Sequence, residues 1–256
     1  MVRPGAEPWP GAVCDGASPR HAWRTVLLAR TLLAAAPPGA VVDAGCGAGT
    51  LALLLAAAGR EVIAFDLDPD RVATARSRAR SLGLEARIRF VRADATSLPL
   101  ADGSVQGAVA GEVLEHLSDD AAAASELARV IAPGGALAIT VPAGASRLGP
   151  TDHAVGHVRR YDRGDLARPV TKAGFELEIL RGWGFPFGRI YDRLVLRPAV
   201  GARGSEAGRW LGWLGQRPLV RRAWGLLFAA DERLPAGSRG SGWLAVARRP
   251  AASRRV

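Results

Sequence analysis

The sequence predicts an α/β fold, a mostly parallel sheet with helices on both faces. Three observations predict it. Short apolar strands alternate with helical stretches from residue 40 to residue 143. One strand runs into a glycine-rich turn that opens directly onto a helix, the arrangement that places ligands at the carboxyl ends of parallel strands. The 256 residues are 48% hydrophobic and 23% charged, enough apolar material for a core without covalent staples.

Each element follows from local signals. Residues 1–20 hold Pro4, Pro8, Pro10 and Pro19 and read as a mobile leader. Residues 21–36 place Trp23, Val26, Leu27, Arg30 and Leu33 at helical spacing, and Pro37 and Pro38 stop the helix. Strands are expected at 40–45, 61–66, 86–94, 104–113 and 136–143. Between them, helices are expected at 50–59, at 69–83 with Pro69 in the first turn, and at 118–135 with Ser118 as N-cap. Beyond residue 150 the regularity fades. A helix at 163–174 is weakened by Pro169, and strands follow at 175–180 and 242–250. Residues 183–240 form an insertion that holds four of the seven tryptophans, namely Trp183, Trp210, Trp213 and Trp224. The domain thus spans 21–256, with a cofactor half at 40–142 and a capping segment at 150–240.

Composition excludes several classes. Cys14 and Cys46 are the only cysteines, so neither a disulfide framework nor a cysteine-rich zinc module is available. No apolar run approaches the roughly 20 residues of a membrane-spanning helix, and the N-terminus lacks the apolar stretch of a signal peptide. A cytoplasmic protein is expected. The net charge of +10 points first to nucleic acid. Residues 1–150, however, carry 14 basic and 15 acidic side chains, whereas residues 151–256 carry 20 and 9. The excess is C-terminal, and all of it except Lys172 is arginine. It fits GC-rich coding on a solvated face as well as an acidic or membrane-associated substrate.

The strongest motif is VVDAGCGAGT at 41–50. Glycines at 45, 47 and 49 let a ligand approach the backbone, and the following helix offers free N–H groups and a positive dipole end. The spacing is G-x-G-x-G, one residue shorter than the dinucleotide fingerprint. Asp43, Asp66 and Asp94 each end one of three successive strands, so three carboxylates share one rim. No lysine stands in this region, which argues against a nucleoside triphosphate.

With AFDLDP, VRADATSLPLADGSV, GEVLEHL and LARVIAPGGALAITVP, this motif resembles the class I S-adenosylmethionine-dependent methyltransferases over about residues 40–142. The resemblance implies a Rossmann-like sheet of seven strands, the last reversed, with the inserted cap before it. It implies S-adenosyl-L-methionine as cofactor. Asp43, Gly45, Cys46 and Gly47 would line its methionine part, Asp66 would hold the ribose, and Leu67 would lie against the adenine. Asp94 and Ala95 would meet the adenine edge, and Glu112 the amino end or the substrate. The chemistry implied is in-line methyl transfer, in which the protein supplies mainly alignment.

On the substrate side, TDHAVGHVRRY at 151–161 resembles a signature of one subgroup. His153 and His157 are candidate bases, Tyr161 is a candidate pocket wall, and His116 of GEVLEHL is a third candidate base. Each has a plainer reading, in which it locks a loop by hydrogen bonds. His21, Trp23 and Arg24 resemble the subgroup's aromatic and basic N-terminal helix, which can close over the cofactor, with plain packing as the expected role. Cys46 reads as a small loop residue rather than a nucleophile. No residue is assigned to a metal. The Trp, Leu and Arg of 209–237, divided by Pro218, fit a lid or a dimer surface, and also fit peripheral contact with an anionic membrane.

The reading that follows is methyl transfer to a small-molecule, apolar or lipid-like acceptor. Two alternatives are an RNA methyltransferase and a non-enzymatic member that binds membrane or protein. No base-amine motif or appended RNA-binding domain supports the first, and the intact glycine loop and rim acids oppose the second.

Overall fold

The computed structural model describes residues 18–202, 205–215 and 217–251. Seven strands form one sheet: β1 (Val41–Ala44), β2 (Val62–Asp66), β3 (Ile88–Arg92), β4 (Val105–Gly111), β5 (Ile131–Pro142), β6 (Glu176–Trp183) and β7 (Gly242–Arg248). Their spatial order is β3-β2-β1-β4-β5-β7-β6. β7 runs antiparallel to both β5 and β6, and the pairs among β1–β5 are parallel. The expected seven-stranded, mostly parallel sheet with a reversed last strand is therefore present. The order reverses between β1 and β4, so a crevice opens beyond the carboxyl ends of these two strands.

Helices cover both faces. The named helices are α1 (Pro19–Ala35), α2 (Thr50–Ala57), α3 (Pro69–Ser81), α4 (Asp120–Val130), α5 (Pro150–His153), α6 (Arg163–Lys172), α7 (Phe187–Tyr191), α8 (Arg197–Gly201), α9 (Glu206–Gly215) and α10 (Pro218–Asp231). Successive strand residues point to opposite sides. Val41, Ala136 and Ala138 pack with Leu28 and Leu32 of α1, Leu53 and Leu55 of α2, and Ala75 of α3. Val42, Leu137 and Ile139 pack on the other face with Leu127 of α4 and Leu166 of α6. A side chain buried as fully as Leu53 or Leu55 contributes roughly 1.5–3 kcal/mol.

The structure corrects several boundaries. α1 starts at Pro19, inside the expected leader, because the Ser18 hydroxyl caps it by accepting from the His21 N–H. Residues 1–17, Cys14 included, lie outside the described residues. α4 ends at Val130 and not at 135, and its N-cap is Asp119 and not Ser118. Pro133 and the positive φ of Gly134 are incompatible with a helix. The chain instead enters β5 through a bulge, where Val105 pairs with Ile131 but Gly107 pairs with Ala136. β6 runs three residues past its expected end, to Trp183.

The segment expected to cap the fold is helical. Pro218 separates α9 from α10, as its position predicts, and opens α10 as its first residue. Ala22 and Trp23 of α1, Tyr191 of α7 and Phe228 of α10 form a separate apolar cluster. Trp224 stacks on Phe228 at 5.5 Å and meets Tyr191 edge-on at 4.8 Å. The cap is thereby fastened to α1. Among the described residues no helix is long and apolar enough to cross a membrane.

Candidate functional site

A cavity of about 420 Å³ lies at the crevice between β1 and β4. Asp43, Gly45, Cys46 and Gly47 line one side, and Arg24, Glu112, His116 and His157 line the other. A larger, more open hollow of about 940 Å³ lies between the end of β6 and residues 232–238, and none of the predicted site residues lines it.

The loop wall is set by backbone. Gly45 has φ of +70°, and a Cβ there would stand 2.5 Å from Val113 Cγ2. Gly47 also has positive φ, but a Cβ there would meet nothing within 4 Å, so its backbone faces open space. The Gly47 N–H donates to Asp66 Oδ2 at 2.7 Å, and the Asp68 N–H donates to Asp66 Oδ1 at 3.0 Å. Asp66 thus ties the tip of β2 to the glycine loop. Leu67 beside it is exposed. Asp94 Oδ1 accepts from the N–H and hydroxyl of Thr96, each at 2.8 Å, which fixes the β3 turn with half-buried Ala95. Asp66, Leu67, Asp94 and Ala95 lie outside the wall of the 420 Å³ cavity.

Asp43 is 1% exposed, and its Oδ2 has no hydrogen-bond partner among the described residues. Burial pushes its carboxyl up to about 7, with Asp66 adding to the effect. Burial also pushes the Cys46 thiol up, which agrees with a packing role. Glu112 is the non-glycine residue of the described chain with positive φ, at +60°. Such a backbone costs on the order of 1–3 kcal/mol and persists where the surroundings demand it. Here the demand is an ion pair, Arg24 Nη1 to Glu112 Oε2 at 3.1 Å, while Glu112 Oε1 is buried without a partner.

Helix α1 therefore does more than pack. His21, Arg24, Thr25 and Leu28 all line the cavity. Arg24 Nη2 also lies 3.1 Å from His21 Nδ1. Burial, with Arg24 and Arg20 nearby, pushes His21 down to about 3, so it is a neutral acceptor for Arg24. Arg20 Nε lies 2.8 Å from Asp192 Oδ1, which joins α1 to the cap.

The remaining wall comes from the loop 150–161 and the turn 114–116. His157 Nδ1 lies 3.0 Å from Asp152 Oδ1. Arg160 donates to the same oxygen through Nε and Nη2, at 2.8 and 2.7 Å. Although burial raises Asp152, these Arg160 contacts hold its carboxyl below the usual range. Burial lowers His157. His116 Nδ1 lies 3.0 Å from the Gly156 carbonyl, and the two imidazoles meet edge-to-face at 4.8 Å.

Of the four acceptor-side candidates, His116 and His157 reach the cavity. His153 is exposed on α5 and does not line it. Tyr161 is 1% exposed, its hydroxyl donates to Asp120 Oδ2 at 2.7 Å, and its carbonyl accepts from Trp243 Nε1. It locks the loop to α4 and β7 instead of walling the pocket. Sequence reasoning missed Thr25 of the cavity wall and the buried Glu115, and for Arg24 it ranked packing above closure over the cofactor. The ion-pair partner of Arg24, Glu112, is distant in sequence, and the one local signal was the E-x-x-E-H spacing of 112–116.

The acceptors fit a ligand that carries a cationic amine. Two buried, unpartnered carboxylate oxygens, Asp43 Oδ2 and Glu112 Oε1, belong to residues of this cavity, and the Gly47 backbone leaves room beside them. Comparisons with known proteins agree. Residues 42–139 match the family model described as a methyltransferase domain. A probable S-adenosylmethionine-dependent methyltransferase of Mycolicibacterium smegmatis is 35% identical over 140 residues, 54% of this chain and 52% of that protein. A demethylmenaquinone methyltransferase of Thermus thermophilus is 40% identical over 104 residues, 40% of this chain and 46% of that protein. The chain thus spans about half the length of the curated relatives it matches. Among solved structures, the cyclase SpnF superposes with a TM-score of 0.66 at 25% identity, covering 95% of this chain and 87% of that one. Residues 42–139 are thus similar to a methyltransferase domain, and the stretch is shared with probable S-adenosylmethionine-dependent methyltransferases.

Proposed function

We propose that the protein is a class I S-adenosylmethionine-dependent methyltransferase and transfers a methyl group from S-adenosyl-L-methionine to a small-molecule acceptor of apolar or lipid-like character. The observation that carries the reading is the 420 Å³ cavity, in which the glycine loop faces His116 and His157. When bound, the cofactor supplies an activated methyl on a sulfonium, so the protein's task is alignment and exclusion of water. Asp43 and Glu112 take the cofactor's amino end, with Gly45, Cys46 and Gly47 against the methionine portion. Asp66 takes the ribose hydroxyls, and Leu67, Asp94 and Ala95 bound the adenine. His116 and His157 meet the acceptor's protic group.

The apolar character of the acceptor rests on the cap. Trp224 and Phe228 of α10 pack against α1, other residues of which line the cavity. The demethylmenaquinone methyltransferase relative supports a small-molecule acceptor. The protein is expected in the cytoplasm, with peripheral membrane contact through the cap as a secondary feature.

Calorimetry with S-adenosylmethionine and S-adenosylhomocysteine tests the cofactor, and transfer of a labelled methyl group to a panel of apolar hydroxylated or aminated acceptors tests the acceptor. A folded sample that binds neither nucleoside sinks the proposal. Binding of bulk tRNA with a steep salt dependence would favour the RNA reading instead.

A further inference from the structure

Glu115, His116 and His157 bring one ligating atom each to within 4.8 Å of one another. We propose that these three side chains form a site for a divalent transition cation of the zinc class. The site lies at the edge of the methyl-transfer cavity. Its role there rests on the proposed function, but its existence does not.

Four observations support the site. Glu115 is 0% exposed, and neither of its carboxylate oxygens has a hydrogen-bond partner among the described residues. An isolated buried carboxylate is costly unless something compensates it. The neighbouring acids are compensated, Glu112 by Arg24, Asp120 by Arg159 and Asp152 by Arg160. Glu115 instead has His157 Nε2 at 3.7 Å from its Oε1. A tetrahedral ion with bonds of about 2.0–2.2 Å holds its ligand atoms about 3.3–3.6 Å apart. This pair is therefore near ligand spacing, and the whole set closes by roughly 1 Å.

Both imidazoles are also held in the ligating tautomer. A backbone carbonyl only accepts, so His116 Nδ1 carries the proton it gives to Gly156 O. The Asp152 carboxylate, held ionised by Arg160, fixes the proton of His157 on Nδ1 in the same way. Each Nε2 is left with a free lone pair. Anchoring of the distal ring nitrogen by a carbonyl or carboxylate is how metal-ligating histidines are oriented. Two histidines and one carboxylate leave further coordination positions open, as in sites that act on a ligand rather than merely brace the fold. Both histidines line the cavity, so an open position is available to a protic acceptor group, toward which the ion would act as a Lewis acid.

The test uses the whole chain, stripped with chelator and then titrated with Zn²⁺ by calorimetry and with Co²⁺ by visible absorption. One ion per chain is expected, with the intense d–d bands of a low-coordinate cobalt site. Glu115→Gln, which keeps the shape, and His116→Ala, at an exposed position, should each weaken binding at least 100-fold. Asp152→Asn should weaken it about 10- to 100-fold. His153→Ala should leave it unchanged. Binding of S-adenosylhomocysteine, measured on the same samples, reports folding and separates the two proposals. If the wild-type protein binds S-adenosylhomocysteine but takes up neither ion, the site is overturned. It is equally overturned if Glu115→Gln and His116→Ala bind the ions as the wild type does. Ion binding without nucleoside binding leaves the site standing and removes the methyl-transfer reading.

Discussion

The two walls of the cavity are built in opposite ways. The loop wall, Asp43 to Gly47, is a short run of neighbouring residues whose shape is set by backbone torsions. The facing wall gathers Arg24, Glu112, His116 and His157 from three separate stretches, and it is held by side-chain ion pairs and hydrogen bonds. The first is rigid because few residues other than glycine can take its place. The second is rigid because its charges, once buried, must stay paired. A glycine loop tolerates changes in its neighbours but not in itself, whereas a charge-paired wall fails whenever either partner is removed.

The largest expected effect breaks the facing wall. Arg24→Ala leaves the Glu112 carboxylate buried without its cation, and a loss of about 3 kcal/mol is expected in urea unfolding. Gly45→Ala breaks the loop wall. It forces a side chain onto positive φ and against Val113, so about 2 kcal/mol of stability should be lost. Nucleoside affinity should fall with it, and calorimetry reads both. Asp66→Ala tests the bridge between β2 and the loop. The expected loss is about tenfold in cofactor affinity, with a smaller change in melting temperature.

The smallest effect separates the walls by pH. The folded value of Asp43, about 7, lies above the unfolded one. The unliganded fold therefore holds this proton more tightly than the unfolded chain does, and the contribution of Asp43 to stability declines as pH rises through about 7. A cationic ligand prefers the carboxylate. Affinity for S-adenosylmethionine should then increase severalfold between about pH 6 and pH 8, and Asp43→Asn should flatten that rise. A profile unchanged in Asp43→Asn would assign the titration elsewhere.

The same contrast explains what could be read from sequence. β1 to β5 and the glycine loop were legible because period, turn chemistry and motif spacing are local. The end of α4 was misplaced because ARVIAPGG continues an apolar helical pattern, and only pairing with β4 makes Ile131 a strand residue. Tyr161 looked like a pocket residue because it closes a polar motif, yet its partners Asp120 and Trp243 lie 41 and 82 positions away. The ion pair of Arg24 with Glu112 and the burial of Glu115 were missed for the same reason. Their chemistry arises from burial and from neighbours that no local spacing encodes. The Trp-rich segment was recognised as an insertion, but its packing on Trp23 through Phe228 depends on tertiary contact.

The threading of β7 has a further consequence. Trp183 at the end of β6 pairs directly with Gly242 at the start of β7, so residues 184–241 leave and re-enter the sheet on the same rung. Neighbouring strands lie about 5 Å apart, and the sheet holds both ends of the excursion whatever lies between them. Closure entropy varies only with the logarithm of loop length. The cap is in this sense an exchangeable cassette, plugged into a two-strand socket. Its length and composition can drift toward a new acceptor while the register of β1 to β5, and the nucleoside end of the crevice, stay as they are.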